Sequence, residues 1–243
     1  MIGESATADT PVRPRPPDDA SLRRELLAAC RILDGERLTD AFGHVSARAQ
    51  NGTVLITPRV GPGLVERAEE LLRLDLDGTV LDGDPALIPG EAALHLGVLR
   101  ARPDLGSVVR FHGPDCFAWS TLVRPLPATT GLALMLGAQV PVHDVAVTVT
   151  RPEQADALAE TLGRGTAVLL RGFGAVTAGE SVADAVVRAT FLERAASAVL
   201  RASVVGMPEA YDDAAADAFA ARRPVIAEQV ARAWTYLQER WPA

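Results

Sequence analysis

The feature that most constrains this chain is an apolar run, SVVRF at residues 107–111, with Arg-Pro-Asp ahead of it and Gly113-Pro114 behind. A run this short, bounded by residues that break helices, predicts a buried strand. Just before it, the stretch from Glu91 to Arg102 has helical periodicity and opens after Pro89-Gly90. Just after it, Pro114 suits the first turn of another helix near DCFAWSTLV. A buried strand between two helices needs a sheet with helices laid on it. The chain therefore predicts a layered α/β (α+β) domain with a central β-sheet sandwiched by helices.

The remaining segments extend this pattern without any internal repeat. Residues 21–35 predict an amphipathic helix capped by Ser21, and AFGHVSAR begins a strand region that continues through GTVLITP. Leu72, Leu74 and Leu76 alternate with polar residues up to Asp77-Gly78, which predicts a hairpin turn. Farther on come a helix over about 152–163, a buried strand TAVLLRG, a long helix over about 181–204 and an Ala-rich helical tail. The apolar, Gly-rich stretch TTGLALMLGAQVPVHD fits no single element. The expected organisation is a flexible Pro-rich arm over 1–20, one domain over 21–205 and a tail over 206–243. That tail carries Trp234, Leu237 and Trp241 at helical spacing, which predicts packing on the same domain or on a neighbouring subunit.

Composition narrows the function classes. A net charge of -7, with no basic stripe among the 24 Lys and Arg residues, argues against a nucleic-acid partner. No run is long enough to span a bilayer, and the first residues lack the apolar centre of a targeting signal, so a cytoplasmic location is expected. Two cysteines make neither a disulfide framework nor a thiolate zinc site, and Cys30 shares an apolar helix face with Leu22, Leu26 and Leu33.

Candidate chemistry rests on few residues. The four histidines are His44, His95, His112 and His143. Glu91 sits at a helix start, where a carboxylate interacts favourably with the helix dipole, and His95 lies four residues on, on the same face. His95 is expected to be a packed, hydrogen-bonded core residue. His112 ends the buried strand before a Gly-Pro turn, and Arg110 points to the same side of it. A guanidinium there disfavours a metal ion but suits a carboxylate or phosphate, or a structural ion pair.

The motifs FGHVSAR, ITP with a following Gly turn, GEAALHLGVLRARPDLGSVVRFHGP and AVLLRGFGAVTAGESVADAVVRATFLERAA stand in the order and at the separations of a known family. Over about residues 20–205 the chain resembles the class II aldolase/adducin superfamily. The resemblance implies a sheet sandwiched by helices, a homotetramer with sites at subunit interfaces, and a divalent metal, commonly zinc, held by three His with a Glu as acid/base. The Glu falls on Glu91 and one metal-binding His on His112. The other two His positions fall on Arg110 and Phe173, so the usual ligand set is incomplete, and any metal site would have to be rebuilt with His44 or His143.

The phosphate-binding positions of the family's sugar-phosphate aldolases also differ: they read Gly43-His44 and Pro89-Gly90, with Arg59 where a turn Ser is usual. What the resemblance leaves is a cluster suited to a carboxylate: His44, Ser46, Thr57 and Arg59 as substrate-binding residues, with Glu91, Arg110 and His112 as catalytic ones. The expected function is that of a carbon–carbon lyase on a small oxygenated carboxylate, more a decarboxylase than an aldolase. It would act through an enolate-like intermediate that Arg110 and His112 stabilise while Glu91 moves the proton. The alternatives are a non-enzymatic adducin-like scaffold, or an aldolase or iron oxygenase with a rebuilt metal site.

Overall fold

The computed structural model describes residues 17–242. The N-terminal arm expected over 1–20 therefore lies outside the described residues except for its last four. Of these, Asp19 and Ala20 already belong to the first helix, α1 (Asp19–Gly35). Its cap is Asp18 and not Ser21: the Asp18 carboxylate accepts the Ser21 backbone N–H at 2.8 Å, so the charged side chain nearer the helix start takes the role.

The strand over residues 107–111 is the fifth in chain order, β5 (Ser107–Phe111), and every residue in it is buried. It is paired on both sides, with β1 (His44–Arg48) and with β10 (Gly174–Gly179), both antiparallel. Beyond β1 the sheet continues through β2 (Val54–Ile56), β3 (Leu72–Leu74) and β4 (Val80–Asp82). Beyond β10 it continues through β9 (Ala167–Leu170) and β8 (Val142–His143), giving eight strands in the order β4-β3-β2-β1-β5-β10-β9-β8. Among the described residues the single parallel pair is β8 with β9. The turn expected at Asp77-Gly78 joins β3 to β4, and the Asp75 carboxylate accepts the Asp77 and Thr79 backbone N–H groups there.

Side chains alternate across a strand, so the sheet feeds two cores. One contains Val45, Val109, Phe111 and Ala175 together with buried residues of α1, α3 (Pro114–Ser120) and α5 (Val182–Ser203). Val230 and Leu237 of α7 (Arg223–Arg240) join the same core, with Trp234 and Trp241 partly buried against it. Between them, α6 (Asp213–Ala220) buries Ala216. The other core contains Val54, Val108, Val176 and residues of α2 (Ala92–Ala101) and α4 (Pro152–Leu162). Helices thus cover both faces, as the sequence pattern requires. The unassigned stretch around residue 135 breaks into a 3-10 turn, Ala133–Leu136, the strands β7 (Gln139–Val140) and β8, and a small two-stranded sheet of β7 with β6 (Leu126–Pro127). Among the described residues no helix is long and apolar enough to cross a membrane.

Candidate functional site

Strand register and helix position bring the polar residues together. In the β1–β5 ladder His44 stands opposite Arg110 and Ser46 opposite Val108. By the period of two, His44, Ser46, Val108 and Arg110 all face the core that holds α2. The first turn of α2 lies over this patch, with Glu91 as its N-terminal cap residue and His95 one turn in.

Two glycines make the approach of these strands possible. Gly43 has φ +111°, and a Cβ there would meet Thr39 Cγ2 at 2.4 Å and the Arg110 carbonyl at 3.1 Å. Gly174 has φ +87°, and a Cβ there would come within 2.4 Å of the Phe111 carbonyl oxygen. Gly174 therefore brings Phe173 against the end of β5. Phe173 packs into the α2 core, on the face where Arg110 lies, and presents a ring with no donor atom.

Arg110 is only 1% exposed. Its Nε lies 3.3 Å from Glu91 Oε2, an ion pair without hydrogen-bond alignment, while Nη1 donates to the Phe111 carbonyl at 2.8 Å. Burial lowers the Arg110 pKa and the Glu91 charge opposes that shift. Glu91 Oε1 in turn accepts the Val149 N–H at 3.4 Å. The arginine expected to grip a ligand is enclosed, and the carboxylate that it meets belongs to the protein.

The imidazoles form a second group. His95 is fully buried, with Nδ1 2.8 Å from Ser46 Oγ and Nε2 3.2 Å from His44 Nδ1. Burial, reinforced by Arg110 and His112, pushes His44 down to about 3. Burial and the nearby His44 and Arg110 push His95 well below its ordinary value. His112 is pushed down to about 4, by burial first and Arg110 second, with Asp40 opposing. All three rings are therefore neutral near pH 7. His112 is held by its backbone N–H, which donates to the Leu38 carbonyl at 2.8 Å, and its ring meets Phe42 edge-on at 6.3 Å. Its Nδ1 is buried without a partner. Glu193 of α5 fixes the turn after His112 by accepting the Asp115 and Cys116 backbone N–H groups at 2.8 and 3.0 Å.

The other expected site residues divide. Ser46 and Thr57 are fully buried, and their hydroxyls have internal partners: His95 for Ser46, and the Val45 N–H for Thr57. Both hold the patch from behind. Arg59 is exposed, and its N–H donates to the Leu87 carbonyl at 2.7 Å, beside the segment that leads to Glu91. His95, which the sequence reading left in the core, is in the core and also bonded into the site. Its i, i+4 relation to Glu91 was the signal that could have placed it there.

A zinc-type metal does not fit this donor set. Arg110 and Phe173 occupy two expected ligand positions, and among the described residues no three His, Cys, Asp or Glu side chains gather at metal-binding geometry. His143 cannot rebuild the site. It lies on β8, three strands from β5 or roughly 14 Å by ordinary strand spacing, with Nδ1 2.9 Å from Thr161 Oγ1. The thiols offer nothing either, since burial pushes Cys30 up to about 12 and Cys116 well above the usual thiol range.

A family profile described as "Class II Aldolase and Adducin N-terminal domain" matches residues 24–200. The chain belongs to this family. It is similar to the 3,4-dihydroxyphthalate decarboxylase of Arthrobacter keyseri, at 32% identity over 77% of this chain and 81% of that protein. It is also similar to the 3,4-dihydroxyphthalate decarboxylase of Terrabacter sp. (strain DBF63), at 33% identity over 77% of this chain and 84% of that protein. Among solved structures, an L-fuculose 1-phosphate aldolase superposes with a TM-score of 0.79 at 22% identity, over 84% of this chain and 97% of that one, a likeness of fold.

Proposed function

We propose that this class II aldolase family member is a carbon–carbon lyase that decarboxylates a small hydroxylated carboxylate, an aromatic one in the first instance. The observation that carries the reading is the buried Arg110–Glu91 ion pair, standing beside three neutral imidazoles where the family resemblance implies a metal. Its support includes the two decarboxylases, 32% and 33% identical to the chain over the 77% of it that they match.

In such a reaction the bond between carbon and the carboxylate breaks, CO2 leaves, and the bonding pair stays on carbon. Delocalised onto a neighbouring oxygen, that pair makes an enolate-like anion, and the carbon then takes up a proton. A guanidinium fixed in a poorly screened interior stabilises the developing negative charge without reorganising. Glu91 tethers that cation and lies within reach of a proton transfer. Arg59 at the rim suits the substrate carboxylate, and His112 Nδ1 is a polar atom without an internal partner. A small-molecule partner, a cytoplasmic location and the homotetramer implied by the resemblance belong to the same proposal.

The test is CO2 release from a panel of hydroxylated aromatic acids, run beside cleavage of sugar phosphates. We expect CO2 from the former and no cleavage of the latter. Glu91→Gln, assayed where circular dichroism shows it folded, is expected to lose about 100-fold or more in turnover. The adducin-like reading predicts no turnover of any panel member, and a Glu91→Gln variant changed in stability alone.

A further inference from the structure

Phe42 is a large apolar side chain that stands in water beside the site. It is 69% exposed, although its ring meets the His112 ring at 6.3 Å and the residues after it, Gly43 and His44, lead into β1. The contact with His112 is T-shaped, so it cannot cover both faces of the phenyl ring, and at least one stays open. A loose loop does not account for the exposure, because the backbone that carries the ring is held from three sides. The Phe42 N–H donates to Asp40 Oδ1 at 2.9 Å, and the Asp40 N–H donates to the Phe42 carbonyl at 3.2 Å. Gly43 follows at φ +111°, hard against Thr39. The third hold is the turn after Arg59, where a Cβ at Gly61 would lie 2.4 Å from the Asp40 carbonyl oxygen and 3.3 Å from the Ala41 Cα.

The same packing sets the exposed Arg59 on the segment that adjoins the Phe42 loop. The rim of the site thus carries a flat apolar ring and a guanidinium on two fixed, neighbouring loops, and the imidazole that the ring touches has an unpartnered Nδ1. A sugar phosphate presents hydroxyls where an aromatic acid presents a flat apolar face. We propose that Phe42 is a specificity-determining residue: its open face stacks on the ring of an aromatic carboxylate whose anionic group Arg59 holds. The inference rests on the decarboxylase reading for what becomes of the bound acid, and on exposure, ring contact and loop packing for the binding itself. Ring stacking adds to the plain burial of apolar surface. Because the platform is already in place, little ordering opposes it. The stack is made equally before and during bond breaking, so Phe42 sets affinity and selectivity and leaves the chemical step to Glu91, Arg110 and His112.

The experiment is calorimetric titration of two acids with the same polar groups, 3,4-dihydroxybenzoate and its saturated-ring counterpart, into the parent protein, Phe42→Leu and Phe42→Trp. A position this exposed tolerates both substitutions without loss of the fold. We expect the parent to bind the aromatic acid about 10-fold more tightly than the saturated one. Phe42→Leu keeps an apolar side chain and removes the flat face. It should weaken the aromatic acid about 10-fold and change the saturated one by less than about twofold, while Phe42→Trp keeps or raises the affinity for the aromatic acid. In turnover the loss in Phe42→Leu should fall on KM, with kcat within about twofold of the parent. Three results would overturn the proposal: equal changes for both acids, no binding of the aromatic acid by the parent, or a Phe42→Leu variant of altered molar mass in light scattering, which would make the ring a contact between copies. Binding that depends on Phe42, without CO2 release from any hydroxylated acid, would leave the platform standing and remove the decarboxylase reading. CO2 release with KM untouched by Phe42→Leu would do the reverse.

Discussion

Arg110 is held almost entirely out of water, and a guanidinium so placed keeps its charge because a carboxylate stands against it. Removing only the carboxylate should be far worse than removing both charges. We expect Glu91→Gln to cost about 3–5 kcal/mol in stability, and the double variant Arg110→Met, Glu91→Leu to recover most of that loss. Denaturant unfolding of the two variants and the parent measures the difference. At this scale the sequence was partly legible. Glu91 could be read from its place at a helix start, and Arg110 and His112 from their spacing at a strand end. The pairing of Arg110 with Glu91 could not be read, because they are distant in the chain and many acidic residues compete for any arginine. Ser46 and Thr57 could be placed near the site by motif, but nothing local told that both are sealed behind it.

Among the elements, the helices and the buried strand β5 announced themselves through periodicity and through their Gly and Pro boundaries. Besides the short strands β6, β7 and β8, the strand that escaped notice is β10, which pairs with β5 along its whole length. Its sequence, GAVTAG, reads as a loop by composition. Gly174 is there because the backbone of β5 passes too close for a side chain, and Gly179 because Asp184 and Ala185 of α5 do. Gly174→Ala would combine a disfavoured positive φ with a clash against backbone, so a loss of about 2–4 kcal/mol is expected. Thermal unfolding checks the loss. Because Gly174 also sets the place of Phe173 and His112, the surviving folded fraction should turn over substrate more slowly per molecule.

Across the whole molecule, the buried histidines tie stability to pH. His44, His95 and His112 have folded pKa values below the value of about 6.5 they have when unfolded. The unfolded chain therefore binds more protons than the folded one as pH falls below 6.5. Stability should be flat above that pH and decline below it, continuing past pH 4, where His112 titrates in the folded state, to about pH 3, where His44 does, with a slope near two protons from His44 and His95 and a smaller part from His112. Glu25, whose carboxyl is raised by burial, opposes the trend near pH 4.5. Urea unfolding at intervals between pH 4 and 8 reads the slope, and His44→Gln should reduce it by about one proton.

Decarboxylation by an arginine–glutamate pair and neutral imidazoles, in place of a metal, is the reaction proposed for this fold. Its most direct test is CO2 release from 3,4-dihydroxyphthalate by protein dialysed against chelator, with the metal content of the same sample measured by elemental mass spectrometry. One CO2 is expected for each substrate consumed, at a rate unchanged by the dialysis and with metal far below one equivalent. Activity that disappears with the chelator and returns with zinc, or no release of CO2 from this or any other hydroxylated aromatic acid, would contradict it.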